Sequence, residues 1–213
     1  MTVINEFNQT CSVCGKTSPQ PVISSTSTWG YPDLDLRPSE MQRSSMFAWL
    51  AECPHCGYVA SKLENVLEVS AELLKTDAYI TCEGHSFKSD LAQRFYRHYL
   101  ISKAEKDYGS EFLSLLHCGW SCDDNEDELA AEIRNMALEP LDKIKPQSDR
   151  ERCNLQLMKA DLLRRSGQFD RVIGEFKDVI LEDKLRNDVI TFQIELAVKK
   201  DIECHTIEEV VKN

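Results

Sequence analysis

The chain has 213 residues, and its 36 Asp and Glu against 25 Lys and Arg give a formal net charge of -11. That balance excludes a predominantly cationic surface of the kind that coats duplex phosphate, because such binding needs clustered Lys and Arg. Here the tightest basic group, Lys143, Lys145, Arg150 and Arg152, is interrupted by Pro146 and Asp149.

Residues Met1 to Thr10 are polar at Asn5, Glu6, Asn8 and Gln9, so no secretory leader is expected. No run of about 18 apolar residues occurs, which argues against a membrane span and for a soluble chain in the reducing cytoplasm. Composition shifts near residue 60. Before it, prolines and glycines punctuate short extended segments; after it, apolar residues recur at helical spacing. Two units are therefore expected, an N-terminal module over 1–60 and a helical domain over 61–213. The fold class is α+β.

The first motif in chain order is Cys11-Ser-Val-Cys14-Gly15-Lys16. A strand is expected over Val22–Trp29, rich in β-branched and hydroxyl residues. Gly30 to Arg43 then reads as a proline-interrupted loop carrying Asp33, Asp35, Arg37, Glu40 and Arg43 beside Trp29, Tyr31 and Met41. This is the candidate ligand or partner loop, in which Arg37 can offer a bidentate anion contact. The structural reading, in which the charges pair internally and pin the loop, is favoured over the ligand reading, since neither a nucleophile nor a histidine accompanies them. A second strand is expected over Ser45–Glu52. It leads into the second motif, Cys53-Pro-His-Cys56-Gly57-Tyr58.

Two Cys-x2-Cys knuckles, each followed by glycine, have the spacing of one tetrahedral site built from Cys11, Cys14, Cys53 and Cys56. One structural zinc ion is the expected cofactor. Disulfides, a redox dithiol and chance spacing are the competing readings. His55 lies inside the second knuckle, where the thiolates are the better ligands, and is expected to face solvent.

Ser61 and Glu64 form a capping-box pattern that predicts a helix to about Thr76. Further helices are expected near 89–107, 110–122, 126–144, 149–166, 169–182 and 185–200. Cys82, His85, Cys118 and Cys122 make a second metal site geometrically imaginable, although buried, inert thiols are the commoner case. The acidic run Asp123–Glu128 is read as a solvated helix start and not a cation site. No phosphate-cradling loop, dinucleotide fingerprint or nucleophile elbow is present.

Ala160, Gly167, Phe169, Val172 and Phe176 follow a tetratricopeptide-like spacing, with a weaker copy over Leu115–Leu138. The run Glu52-Cys-Pro-His-Cys-Gly-Tyr-Val-Ala60, preceded by Cys11-x2-Cys14-Gly-Lys and followed by these helices, resembles the uncharacterised bacterial domain-of-unknown-function family numbered 2225. The resemblance implies a split four-cysteine zinc ribbon joined to tetratricopeptide-like helices, a cytoplasmic bacterial protein, and no assigned activity. The segment Pro32–Pro38 departs from the general pattern.

The expected function is a non-enzymatic, zinc-stabilised protein-interaction module whose partner is a protein or peptide. A nucleic-acid-associated ribbon is the alternative. A metal-dependent or thiol enzyme is the second, and it would need an open coordination position.

Overall fold

The computed structural model describes residues 1–212. The helical region expected over 61–213 is thus described to Lys212, and residue 213 lies outside the described residues. The N-terminal part is a pair of small antiparallel hairpins. Strands β1 (Val3–Thr10) and β2 (Thr17–Ser25) form the first, and β3 (Ala51–Glu52) and β4 (Val59–Ala60) the second. Each knuckle is the turn of one hairpin.

The strand expected over 22–29 therefore begins earlier, and its partner comes from the polar leader segment. Pro19 and Pro21 of β2 sit opposite Asn8 and Glu6. A proline has no N–H to give, so these are pairs without mutual hydrogen bonds, and the missing donors fall on the outer edge of β2. The second expected strand is mostly replaced by a 3-10 turn over Arg43–Ala48, where Ser45 Oγ donates to Gln42 O at 2.7 Å.

No α-helix forms over 61–76. The Glu64 carboxylate accepts the Thr10 N–H at 3.1 Å, and Asn65 O accepts the Ser12 and Tyr58 hydroxyls at 2.6 and 2.9 Å. Glu64 is thus spent on the first hairpin and Ser61 Oγ on the Asn65 side-chain amide at 3.0 Å, and a short 3-10 helix over Ala71–Lys75 is what remains.

The helices follow: α1 (Asp77–Ile80), α2 (Asp90–Glu105), α3 (Tyr108–Asp124), α4 (Ala130–Lys143), α5 (Asp149–Arg165), α6 (Phe169–Phe176), α7 (Lys184–Val198) and α8 (Ile207–Lys212). Their starts follow local chemistry. Ser89, Asp107, Ser148 and Asp183 each accept a backbone N–H of the first turn. Each of α2 to α7 packs on its successor, and α8 closes on α7.

The core runs without interruption from Cys11 through Val59, Leu63, Phe95, Leu115 and Leu162 to Ile207. None of the helices among the described residues is long and apolar enough to cross a membrane.

The loop between the hairpins lies on the helices and meets the last connection of the chain. Leu34 N donates to His205 O at 3.0 Å, and Ile207 N donates to Pro32 O at 2.9 Å. Ends of the chain far apart in sequence are tied together there.

Candidate metal centre

The two knuckles have the same backbone. Cys11 N donates to Lys16 O and Gly15 N to Cys11 O, both at 2.9 Å; Cys53 N donates to Tyr58 O at 2.8 Å and Gly57 N to Cys53 O at 2.9 Å. The glycines have φ of +71° and +72°, in the left-handed region that side chains disfavour. This turn aims both sulfurs of a knuckle the same way.

The two hairpins then face each other. The Sγ atoms of Cys11 and Cys56 are 3.7 Å apart, those of Cys14 and Cys53 are 3.6 Å apart, and all four lie within 4.8 Å of one another. A disulfide needs about 2.05 Å, so these are four free thiols. Four sulfurs at about 2.3 Å from a tetrahedral ion would be about 3.8 Å apart, so the cluster has the dimensions of a four-thiolate metal site.

The electrostatics of the cluster divide the thiols. The Lys16 backbone N–H lowers Cys14 to about 7, whereas burial pushes Cys11 and Cys56 up. One sulfur thus gives up its proton readily, and a bound cation would supply the charge that deprotonates the rest. Tyr79 Oη donates to Gly57 O at 2.6 Å and Leu63 N to Gln9 Oε1 at 2.8 Å, which seats both hairpins on the chain behind them. His55 is exposed.

The second site imagined from Cys82, His85, Cys118 and Cys122 does not assemble. Among the described residues the four knuckle cysteines are the one such cluster of metal-ligating atoms. The thiols of Cys82 and Cys118 turn to the carbonyls of Gln93 and Ala92. His85 spends Nδ1 on Cys82 O at 2.7 Å, and its Nε2 faces Glu132 at 3.3 Å. Burial raises Cys118 well above an ordinary thiol, as expected of an inert one.

The Asp and Arg residues of the long loop are divided by burial. Asp33, Asp35 and Arg37 are buried, and Arg43 is half-buried. Asp35 Oδ2 accepts Trp120 Nε1 at 2.6 Å, Arg37 pairs with Asp124 at 2.5 Å, and Arg43 pairs with Asp33 at 2.6 Å. These charges face the helices and each other, so they are not free to meet an external ligand. Trp29, Tyr31 and Glu40 remain exposed, Trp29 at 73%.

The acidic run lies across the end of α3 and the turn into α4, and it is not a solvated helix start. Asp123 pairs with Arg134 and with Arg165, and Asp127 accepts the N–H groups of Lys88 and Leu129 at 2.8 and 3.1 Å.

One feature escaped the sequence reading altogether. Arg164, Asp161 and Gln193 form a fully buried polar group at the α5–α7 contact. Its only signal in the sequence is Asp161 three residues before Arg164, the spacing of a charged pair on one helix face.

No protein-family model, curated protein or solved structure matches the chain. The four-thiol cluster on an α+β frame is therefore what defines its class.

Proposed function

We propose that the chain is a non-enzymatic interaction module whose N-terminal hairpins are clamped by one structural zinc ion. The observation that carries this reading is the sulfur spacing of 3.6 and 3.7 Å within a four-thiol cluster. Four thiolates would fill a tetrahedral sphere and leave no position for water or substrate, so the open position that a zinc hydrolase requires is missing. Zinc fits the donor set better than harder cations because thiolates are soft ligands.

The α5–α6 pair supports a tetratricopeptide-like reading of the helices. Ala160 is buried at the crossing, Gly167 makes the turn at φ +78°, and Val172 and Phe176 fill the interface. The exposed Trp29 and Tyr31 on the clamped loop offer a partner two aromatic contacts. Nucleic acid is the poorer partner, since Arg37, Arg134, Arg164 and Arg165 are buried and cannot offset phosphate charge. Membership of the bacterial family numbered 2225 is part of the proposal and rests on the knuckle residues.

Metal analysis of freshly purified protein should give one zinc per chain, falling in Cys53→Ser. A ratio near zero would remove the clamp. Affinity purification should lose its specific partner in Trp29→Ser/Tyr31→Ser at unchanged melting temperature, and an identical set of captured proteins would remove the interaction role of the loop.

A further inference from the structure

The two edges of the β1–β2 hairpin are unlike. Asn8 and Glu6 stand opposite Pro19 and Pro21 in pairs without mutual hydrogen bonds, and in an antiparallel ladder the two kinds of pair alternate. Asn5, Phe7 and Gln9 therefore turn their N–H and C=O groups to β2, while Ile4, Glu6, Asn8 and Thr10 turn theirs outward. The outer edge of β2 has no donor at residues 19 and 21, and proline there keeps a further strand away. Nothing comparable blunts β1, which contains neither proline nor lysine.

The Thr10 N–H is taken by the Glu64 carboxylate at 3.1 Å, so the open edge runs from Ile4 to Asn8. No backbone carbonyl outside the hairpin accepts the N–H of Ile4, Glu6 or Asn8 among the described residues. The side chains of Asn5 to Asn8 are exposed, Phe7 at 52%. Glu6 is the one charged residue of either strand, and it stands at the middle of the open row. An extended chain laid along this edge would meet alternating donors and acceptors, a carboxylate at their centre and a phenyl ring beside it.

Charge selects the occupant. To use the donors of Ile4, Glu6 and Asn8 together, a second copy of β1 lying antiparallel must be centred on Glu6, and that sets two like carboxylates directly opposite each other. A basic residue opposite Glu6 makes a favourable cross-strand pair instead, on a chain whose net charge is -11. The residues flanking that base fall on the sheet face that carries Phe7, where apolar side chains fit. We infer that β1 takes up an extended peptide segment of a partner protein as a third strand, with Lys or Arg opposite Glu6 and apolar residues on either side of it. This deepens the interaction reading, and it fails separately, because the loop carrying Trp29 and Tyr31 has no part in it.

The probe is the acetylated, amidated peptide Ser-Thr-Val-Lys-Val-Thr-Ser, titrated into the full chain and followed by NMR. It should slow amide exchange at Ile4, Glu6 and Asn8, the three outward donors. The same peptide with Glu in place of Lys should bind about fivefold more weakly, the range of one exposed cross-strand charge pair. Methylating the Lys backbone nitrogen removes a ladder donor and should abolish binding. Glu6→Lys, at an exposed position, should reverse the preference between the Lys and Glu peptides at an unchanged circular-dichroism melt. No binding of the Lys peptide, equal binding of the Lys and Glu peptides to the wild type, or full binding of the methylated peptide would overturn the inference. A dimer whose Ile4, Glu6 and Asn8 amides are already protected without peptide would overturn it as well, by giving the edge to a second copy.

Discussion

Arg164 is fully buried and uses every edge of its guanidinium. Nε donates to Gln193 at 2.6 Å, Nη2 to Asp161 at 2.8 Å, and Nη1 to the carbonyls of Asp201 and Glu203 at 2.8 and 2.9 Å. Truncating it would leave the Asp161 carboxylate buried without its cation, which costs far more than the pair contributes. Arg164→Leu should therefore destabilise the fold by about 3–5 kcal/mol in urea unfolding; a loss under about 1 kcal/mol would mean that water takes over the arginine's contacts.

Asp35 makes a different prediction. Its burial, reinforced by the Asp161 charge, raises the carboxyl to about 6 despite the Trp120 N–H bond. Between about pH 4 and 6 the folded state then holds more protons at this residue than the unfolded state. The contribution of Asp35 to stability is thus present below pH 4 and is lost as pH rises through 6. Asp35→Asn mimics the protonated acid and should remove that loss. Urea midpoints at pH 4.5 and 7.5 should fall further in the wild type than in the variant, and parallel changes would contradict the assignment.

At the scale of the element, the knuckle is a turn with fixed requirements. Gly57 has φ of +72°, and a methyl group added to it would come no nearer than 4.0 Å to Tyr79. Space is therefore available and conformation is the obstacle. Gly57→Ala should cost about 1–2 kcal/mol, read as a lower melting temperature and weaker zinc retention against a chelator. An alanine variant as stable as the wild type would show that the left-handed turn does not set the sulfur positions.

The two hairpins also differ. Val59, Ala60 and Tyr58 of the second are buried, whereas most of β1 is exposed along its length. On the proposed reading, the first hairpin depends more on the clamp.

That difference reaches the whole molecule. With no ion on the thiols, the first hairpin would keep a few polar ties to the 61–65 segment and the Gln20 bond to Glu52 O, while the second would keep Tyr79 and the pairs of Glu52 with Arg94 and Arg97. Chelation should accordingly raise amide exchange over residues 3–25 and leave α2 to α5 protected, in a hydrogen-exchange measurement with and without chelator. Uniform loss of protection would instead mean that the ion holds up the entire core. The Asp35 and Arg37 side chains tie the loop to α3, and the Leu34 N–H ties it to His205 O, so this region should stay folded without the metal.

The cysteine pairs and most of the long helices were legible in the chain itself, because both are local signals. A Cys-x2-Cys-Gly knuckle needs only its own six residues to turn, and α2, α5 and α7 carry their caps and apolar spacing within one segment. The helix expected over 61–76 failed for the converse reason. Its Glu64 is as good a partner for a hairpin N–H as for a helix start, and only the position of β1 decides between them. The leader segment gave no strand signal, since its register comes from pairing with β2.

The direction of the loop charges and the ion group around Arg164 likewise depend on which segments meet across about 30 to 170 residues. Spacing determined that four thiols can share one ion. Only tertiary contact decided that the loop beside them would turn its arginine and aspartates inward, because buried charges are stable only where the fold supplies their partners.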